Sequence, residues 1–135
     1  MKCLISSLVA AIFFLSLSGC VSKPLLTEKI QDLEFTVLAE EEIPKELRKE
    51  IEDGKQKAFR IAYEDEGFLY IAEGYGAQSH TGYSVKVAEV YETQNAVYFH
   101  SVLLGPDKGE KTEDKTTFPY VVIKLNDIGK EVLFD

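Results

Sequence analysis

The sequence predicts an α+β fold, a small antiparallel β-sandwich or open barrel of about seven strands with one packed helix. The chain has 135 residues, which is the length of one ordinary domain. Short runs in which apolar and polar residues alternate are separated by turn-forming residues, a pattern typical of antiparallel strands joined by short connections. One segment instead repeats an apolar residue every four positions, which is the spacing of one helix face.

The predicted helix follows from three apolar residues at a four-residue spacing. Ile43, Leu47 and Ile51 lie on one face of a helix. Pro44 suits the first helical position, where its missing N–H has no partner to lose. Gly54 is the expected C-terminal stop. The apolar face predicts that this helix packs on the rest of the domain.

Seven strands are predicted from runs of alternating or continuous apolar residues. They cover residues 33–37, 59–63, 68–72, 83–87, 96–104, 118–125 and 131–134. The alternation changes phase at Ala88–Val90, which indicates a β-bulge. The run 96–104 is nearly all apolar, so we expect it to be buried on both faces of its sheet. Two polar segments, 74–82 and 105–117, are expected to be loops.

The residues before Cys20 are expected to be a signal peptide rather than part of the fold. Lys2 supplies a positive charge, and residues 4–17 form an uncharged, mostly apolar run of 14 residues. A membrane-spanning helix needs about 20 residues, so this run fits the apolar region of a secretory signal. It ends in Leu17-Ser18-Gly19-Cys20, which resembles the lipobox of bacterial lipoproteins. The resemblance implies cleavage before Cys20, which would remove residues 1–19, and attachment of acyl chains such as palmitate to Cys20.

Lipidation of Cys20 would anchor the protein to a membrane of the cell envelope, with its domain outside the cytoplasm. Residues 20–31 have little periodicity and contain Pro24, so we expect a tether that holds the domain just off the bilayer. Residues 32–135 are expected to form a single domain. The sequence leaves open whether the membrane is an inner, an outer or a single one.

The acidic composition argues against negatively charged partners. The chain has 15 Lys and Arg against 23 Asp and Glu, a formal net charge of -8. Removal of the signal peptide takes away Lys2 and no acid, which changes the net charge to -9. Nucleic acid is excluded as the main partner, because phosphate contacts require a basic face. Electrostatic adhesion to anionic lipid is excluded for the same reason.

The catalytic and metal-binding residue types in the sequence indicate neither an enzyme nor a metalloprotein. The glycines lack the spacing of a phosphate-binding loop. His80 lies in a loop and His100 in an apolar strand, and neither has the sequence context of a catalytic pair. The acids of residues 107–114 are interleaved with lysines and lack EF-hand spacing. No Cys follows Cys20, so neither a zinc site nor an internal disulfide is expected. We expect no cofactor and no small-molecule substrate.

Three stretches of the sequence follow one another in an order found in a known family. The first runs from Ala77 to Val85 and contains Thr81-Gly82-Tyr83. The second is Leu104-Gly105-Pro106, and the third runs from Thr117 to Lys124 and contains Phe118-Pro119-Tyr120. Together they resemble the C-terminal domain of the protease complex subunit PrcB family, over about residues 68–124. A departure is the single Gly82, where the family usually has two glycines.

The resemblance implies a non-catalytic accessory subunit that binds and stabilises a secreted or surface protease. The residues implied in binding are Gln78, His80, Thr81, Gly82, Tyr83, Pro106, Pro119 and Tyr120. An alternative is a chagasin-like protease inhibitor, since that family also presents a Thr-Gly-Tyr type of loop, although its Asn-Pro-Thr lead-in is missing here. A generic envelope binding module is another alternative, in which Thr81-Gly82-Tyr83 is only a turn and a strand start. For all three functions, the expected partner is a protein.

Overall fold

The computed structural model describes residues 25–135 as eight strands and one α-helix. The elements are β1 (Gln31–Asp32), β2 (Thr36–Val37), α1 (Lys45–Gly54), β3 (Ala58–Asp65), β4 (Phe68–Tyr75), β5 (Ser84–Glu92), β6 (Ala96–Leu104), β7 (Tyr120–Asn126) and β8 (Glu131–Phe134), with a 3-10 turn at Glu40–Glu42 before the helix. The expected signal peptide and Cys20 lie outside the described residues. Within residues 25–135, no helix is long and apolar enough to cross a membrane.

The strands form two four-stranded sheets. The front sheet has the order β1-β5-β6-β8, and the back sheet has the order β2-β7-β4-β3. Neighbouring strands are antiparallel except β6 and β8, which pair in parallel. The predicted sandwich with one helix is therefore confirmed in outline, and the described strands do not close into a barrel.

The molecule has three layers with a hydrophobic core on each face of the back sheet. Between the two sheets lie the side chains of Leu69, Ile71, Val90, Val97, Phe99, Val121, Ile123 and Leu125. On the outer face of the back sheet, α1 buries Ile43, Leu47 and Ile51 against Tyr70, Ala72 and Val122. The predicted helix face is thus confirmed. Strands β4 and β7 are buried on both faces because the other sheet covers one face and the helix the other.

The prediction of a single strand at 33–37 is wrong. The chain crosses from one sheet to the other in this segment, so β1 pairs with β5 of the front sheet and β2 with β7 of the back sheet. Leu33 packs against the core between the sheets at the crossing point. Phe35 and Val37 remain exposed, because β2 is a short edge strand.

The predicted bulge is confirmed, whereas the predicted burial of 96–104 is not. The register between β5 and β6 shifts at Ala88, between Val87 and Glu89. In β6 the inward residues, such as Phe99, are buried, but the alternate side chains Tyr98 and His100 are only half-buried. The helix packs on the back sheet and leaves the outer face of β6 near solvent.

The two ends of the sandwich differ in character. At one end, here called the turn end, the connections are tight: residues 66–67, 93–95 and 127–130. Lys130 Nζ donates to the Thr93 carbonyl at 2.8 Å, and the Asp127 N–H donates to the Gly67 carbonyl at 3.0 Å, which ties these turns together. At the other end, here called the loop end, are the long connections 76–83 and 105–119. The loop end therefore has much longer connections between strands than the turn end.

Candidate functional site

The two long connections at the loop end, residues 76–83 and 105–119, pair with each other and are here called the loop pair. Gln78 and Thr117 form an antiparallel bridge, with N–H to carbonyl distances of 2.8 and 3.0 Å. The Thr81 N–H donates to the Glu113 carbonyl at 3.1 Å, and the Glu113 N–H donates to Thr81 Oγ1 at 2.9 Å. Thr117 Oγ1 donates to the His80 carbonyl at 3.1 Å. These bonds make one surface from two segments that are distant in sequence.

Gly82 lies directly beneath the other segment of the loop pair. Its φ is +100°, a conformation that L side chains rarely adopt. A Cβ added at this position would lie 2.7 Å from Pro106 Cβ and 3.3 Å from Thr112 Cγ2. The segment 105–119 can therefore lie directly over Gly82 only because this residue has no side chain.

The His80 ring is engaged inside the loop pair. Its Nδ1 lies 2.9 Å from the Thr81 carbonyl, so Nδ1 carries the proton and donates it. Nε2 is then free to accept from the Tyr83 hydroxyl at 3.4 Å, and the two rings lie 4.9 Å apart between centroids. Both ring nitrogens therefore have partners within the loop, and this histidine holds Tyr83 in place.

The structure gathers most of the residues implied in binding and separates one of them. Gln78, His80, Thr81, Gly82, Tyr83 and Pro106 all belong to the loop pair. The Pro119 carbonyl accepts from the Tyr75 N–H at 3.1 Å, at the base of the loop. Tyr120 lies on the helix side of the back sheet, with its ring 6.3 Å from that of Phe59. Burial, together with the nearby Glu40 and Glu52, raises the pKa of Tyr120, which keeps it neutral.

A buried polar cluster near the loop end was not predicted from the sequence. Glu73 is 4% exposed and points between the sheets. Arg60 Nε donates to its Oε2 at 2.7 Å, and Ser101 Oγ donates to its Oε1. The Tyr75 hydroxyl lies 2.6 Å from Ser101 Oγ, and burial raises the pKa of Tyr75, so this hydroxyl remains protonated. The available signal was a glutamate directly after the apolar run 68–72, opposite an arginine in the same hairpin.

The geometry of the candidate site is that of a binding surface rather than a ligand cavity. Among residues 25–135, no three His, Cys, Asp or Glu side chains gather as a metal site requires. A groove of about 760 Å³ lies away from the loop pair and is lined by residues that include Leu33, Phe35, Leu38 and Phe68. In the loop pair, residues 107–116 are all exposed, and most of them are polar or charged.

Gly82→Ala is expected to lower the free energy of unfolding by about 2 kcal/mol, because it adds both a strained positive φ and a contact with Pro106. Gly109→Ala is the matched control in the same loop pair. Its φ is +89°, but no atom lies within 4 Å of the added Cβ. Urea unfolding of both variants should give a loss of only about 1 kcal/mol for Gly109→Ala. Equal losses would contradict the packing of Pro106 on Gly82.

These features define a class of protein, a β-sandwich domain that presents a surface built from two paired loops. Residues 69–126 match the family model described as PrcB C-terminal, which confirms the family resemblance seen in the sequence. No curated protein and no solved structure matches the chain.

The matched segment covers somewhat less than half of the chain but includes the whole candidate site. It runs through β4, β5, β6 and β7 and contains both segments of the loop pair. Glu73 and Ser101 of the buried cluster lie inside it, whereas their partner Arg60 lies in β3, outside it. Strands β1, β2, β3 and β8 and the helix therefore complete a sandwich around the family segment.

Proposed function

We propose that this protein is a membrane-anchored envelope lipoprotein that acts as a non-catalytic accessory subunit, binding and stabilising a secreted or surface protease. The observation that carries the proposal is the match of residues 69–126 to a protease complex subunit family. The match supports a protein partner. The anchoring part of the proposal depends on the lipobox at Leu17-Ser18-Gly19-Cys20.

The loop pair is the proposed contact surface for the partner. The strand side chains that face the other sheet or the helix are committed to the two cores. In the loop pair, by contrast, Ser79 and residues 107–116 are exposed. The exposed stretch carries alternating acids and lysines, which suit a polar protein interface in which charge pairs set orientation and specificity. The hydrogen bonds between the two segments hold these groups in a defined arrangement before the partner binds, which lowers the entropy lost on binding.

Cys20→Ala is expected to abolish labelling of the protein by a fatty-acid analogue and to leave an unprocessed precursor. The reason is that the thiol of Cys20 is the proposed acceptor of the lipid, and no other cysteine remains after the signal peptide. Metabolic labelling followed by gel analysis measures both outcomes. Cys3→Ala is the control and should be labelled like the natural protein. Equal labelling of Cys20→Ala would contradict the anchoring.

Partner capture tests the loop pair directly. The lipidated protein is crosslinked in its own cells and purified, and proteases among the captured proteins are identified. A double charge reversal, Lys108→Glu and Lys111→Glu, is expected to reduce the yield of the protease by about ten-fold, since each like-charge contact at an interface is unfavourable. A charge reversal of Lys45→Glu and Lys49→Glu, two exposed residues of α1, is the matched control.

Both charge-reversed proteins should melt within a few degrees of the natural one, because surface substitutions change stability by about 0.5 kcal/mol or less. If the loop variant captured the protease at the yield of the natural protein, the binding surface would have to lie outside the loop pair. Absence of any protease among the captured proteins would contradict the proposed function. The activity of the captured protease separates a stabilising subunit from an inhibitor: its half-life should increase in the complex while its turnover is retained.

A further inference from the structure

Large apolar side chains that remain exposed collect at the turn end of the sandwich. Within residues 25–135 these side chains are Leu26 (41% exposed), Ile30 (59%), Phe35 (38%), Val37 (55%), Leu104 (44%) and Ile128 (37%). Leu26, Ile30, Phe35 and Ile128 lie at the turn end, and Val37 lies further along β2. Leu104 is at the loop end, where β6 finishes. A clustered set of exposed apolar residues marks a contact surface.

The turn-end residues are held in place by hydrogen bonds to the sandwich. The Leu26 N–H donates to Asn95 Oδ1 at 2.9 Å, and the Ile30 N–H donates to the Glu92 carbonyl at 2.7 Å. Between them, the Thr27 carbonyl accepts from the Tyr91 hydroxyl at 3.1 Å. The segment expected to be a tether therefore already lies along β5 from Leu26 onward. Its apolar side chains are presented from a fixed backbone.

The same end is the one nearest to the proposed lipid anchor. Cys20 precedes Leu26 by six residues. A fully extended chain spans at most about 3.4 Å per residue, so these residues reach roughly 20 Å. The acylated Cys20 would thus keep the turn end within about 20 Å of the bilayer. The nine residues of β6 span about 30 Å, so the loop pair lies that much further away.

We infer that the turn end is a bilayer-contact face, on which Ile30, Phe35 and Ile128 enter the lipid headgroup region while the loop pair points away from the membrane. The inference rests on the proposed anchoring through Cys20. It commits to the lipid bilayer as the occupant of this face, because the anchor and the exposed apolar residues lie at the same end. Burial of apolar side chains at the interface adds to the affinity of the lipid chains.

Charge at the turn end indicates that apolar burial, rather than attraction to lipid phosphates, drives the contact. Lys29 Nζ lies 2.9 Å from Asp32 Oδ1, and Lys130 Nζ lies 2.6 Å from Glu92 Oε2. Hydrogen bonds from Lys130 and Gln31 lower the pKa of Glu92, so this carboxylate stays ionised and keeps Lys130 paired at neutral pH. Both lysines are thereby neutralised locally. The contact is expected to form on a zwitterionic bilayer and to be insensitive to salt.

The orientation also specifies the kind of partner that the loop pair can meet. A surface held about 30 Å or more from the bilayer suits a soluble domain that stands clear of the membrane. A membrane-embedded segment of a partner could not reach the loop pair while the turn end rests on lipid. The proposed protease would therefore be engaged through its aqueous domain.

The chain has no tryptophan, so a single introduced Trp reports the contact. Ile30→Trp, Ile128→Trp and the control Leu104→Trp are each prepared as the lipidated protein in vesicles of phosphatidylcholine with brominated acyl chains. We expect fluorescence to fall to roughly half at positions 30 and 128, and to change little at 104, because only the turn end enters the bilayer. The quenching should be the same in 0.5 M salt as in dilute buffer, an ionic strength at which the screening length is below about 8 Å.

The outcomes separate this inference from the proposed function. Protein that floats with the vesicles but is quenched equally at all three positions, or more at 104, would overturn the orientation and leave the anchoring intact. Quenching that is lost in high salt would show that the contact is electrostatic rather than apolar, and this result would also overturn the inference. Protein that does not float would overturn the anchoring itself, and with it the contact face. Partner capture by the loop pair is measured separately and does not depend on this result.

Discussion

Replacement of Phe99 by alanine is expected to lower the free energy of unfolding by about 3–5 kcal/mol. Phe99 is fully buried at the centre of β6, between the two sheets. Its ring meets that of Phe134 edge-on, with 5.8 Å between the centroids, and so joins the edge strand β8 to the core. The truncation would leave a cavity that the surrounding β-strands cannot close. Urea unfolding followed by circular dichroism measures the loss.

The matched control for this prediction is Val102→Ala in the same strand. Val102 faces the outer side of the front sheet and is only half-buried. Its truncation should therefore lower the free energy of unfolding by about 1 kcal/mol or less. A loss for Phe99→Ala that is no larger than the loss for Val102→Ala would contradict the placement of Phe99 between the sheets.

Arg60→Ala is expected to lower the free energy of unfolding by about 3 kcal/mol, because it leaves the buried carboxylate of Glu73 without its cationic partner. The Arg60 side chain is 51% exposed, which places the effect at the lower end of the range for broken buried pairs. Arg60 also donates to the Asp135 carbonyl at 3.0 Å and so holds the end of β8 against the back sheet. Thermal and urea unfolding measure the effect.

A double-mutant cycle tests the assignment to Glu73. In Glu73→Gln the charge is removed and the shape of the side chain is retained, so Arg60→Ala should then be less costly by at least about 1 kcal/mol. Lys86→Ala, an exposed residue of β5, is the surface control and should change stability by less than about 0.5 kcal/mol. An equal effect of Arg60→Ala in both backgrounds would show that the carboxylate of Glu73 does not depend on Arg60.

Local patterns in the sequence were sufficient to predict those elements in which buried residues recur at a regular spacing, about four residues in the helix and two in a strand. The four-residue spacing of Ile43, Leu47 and Ile51 predicted the helix and the face that it buries. The phase change at Ala88 predicted the bulge, because a period of two cannot otherwise keep Val87 and Val90 on one face. The ordered motifs of residues 77–124 predicted the family, as the match to residues 69–126 confirms.

Only the tertiary structure shows which strand faces are covered by the helix or by the other sheet. The run 96–104 is as apolar as a strand buried on both faces, but α1 packs on the back sheet instead. The run 33–37 alternates like one strand, but only Thr36–Val37 forms one, because the chain crosses from the front sheet to the back sheet at Leu33, whose side chain packs against the core. Side-chain period is a local property, whereas coverage depends on the packing of distant segments.

The candidate site shows the same division. The sequence by itself determined that Gly82 and its neighbours form a loop. The resemblance to the PrcB family identified most of the residues that the structure brings together in the loop pair. Only the tertiary structure paired Thr81 with Glu113, moved Tyr120 to the helix side, and placed Arg60 beside Glu73. These contacts join residues from 13 to 61 positions apart in sequence. They depend on which segments pair with one another: Arg60 and Glu73 pair across one hairpin, Phe59 and Tyr120 meet within the back sheet, and Thr81 and Glu113 join the two long connections. Side-chain period along the sequence does not specify such pairings.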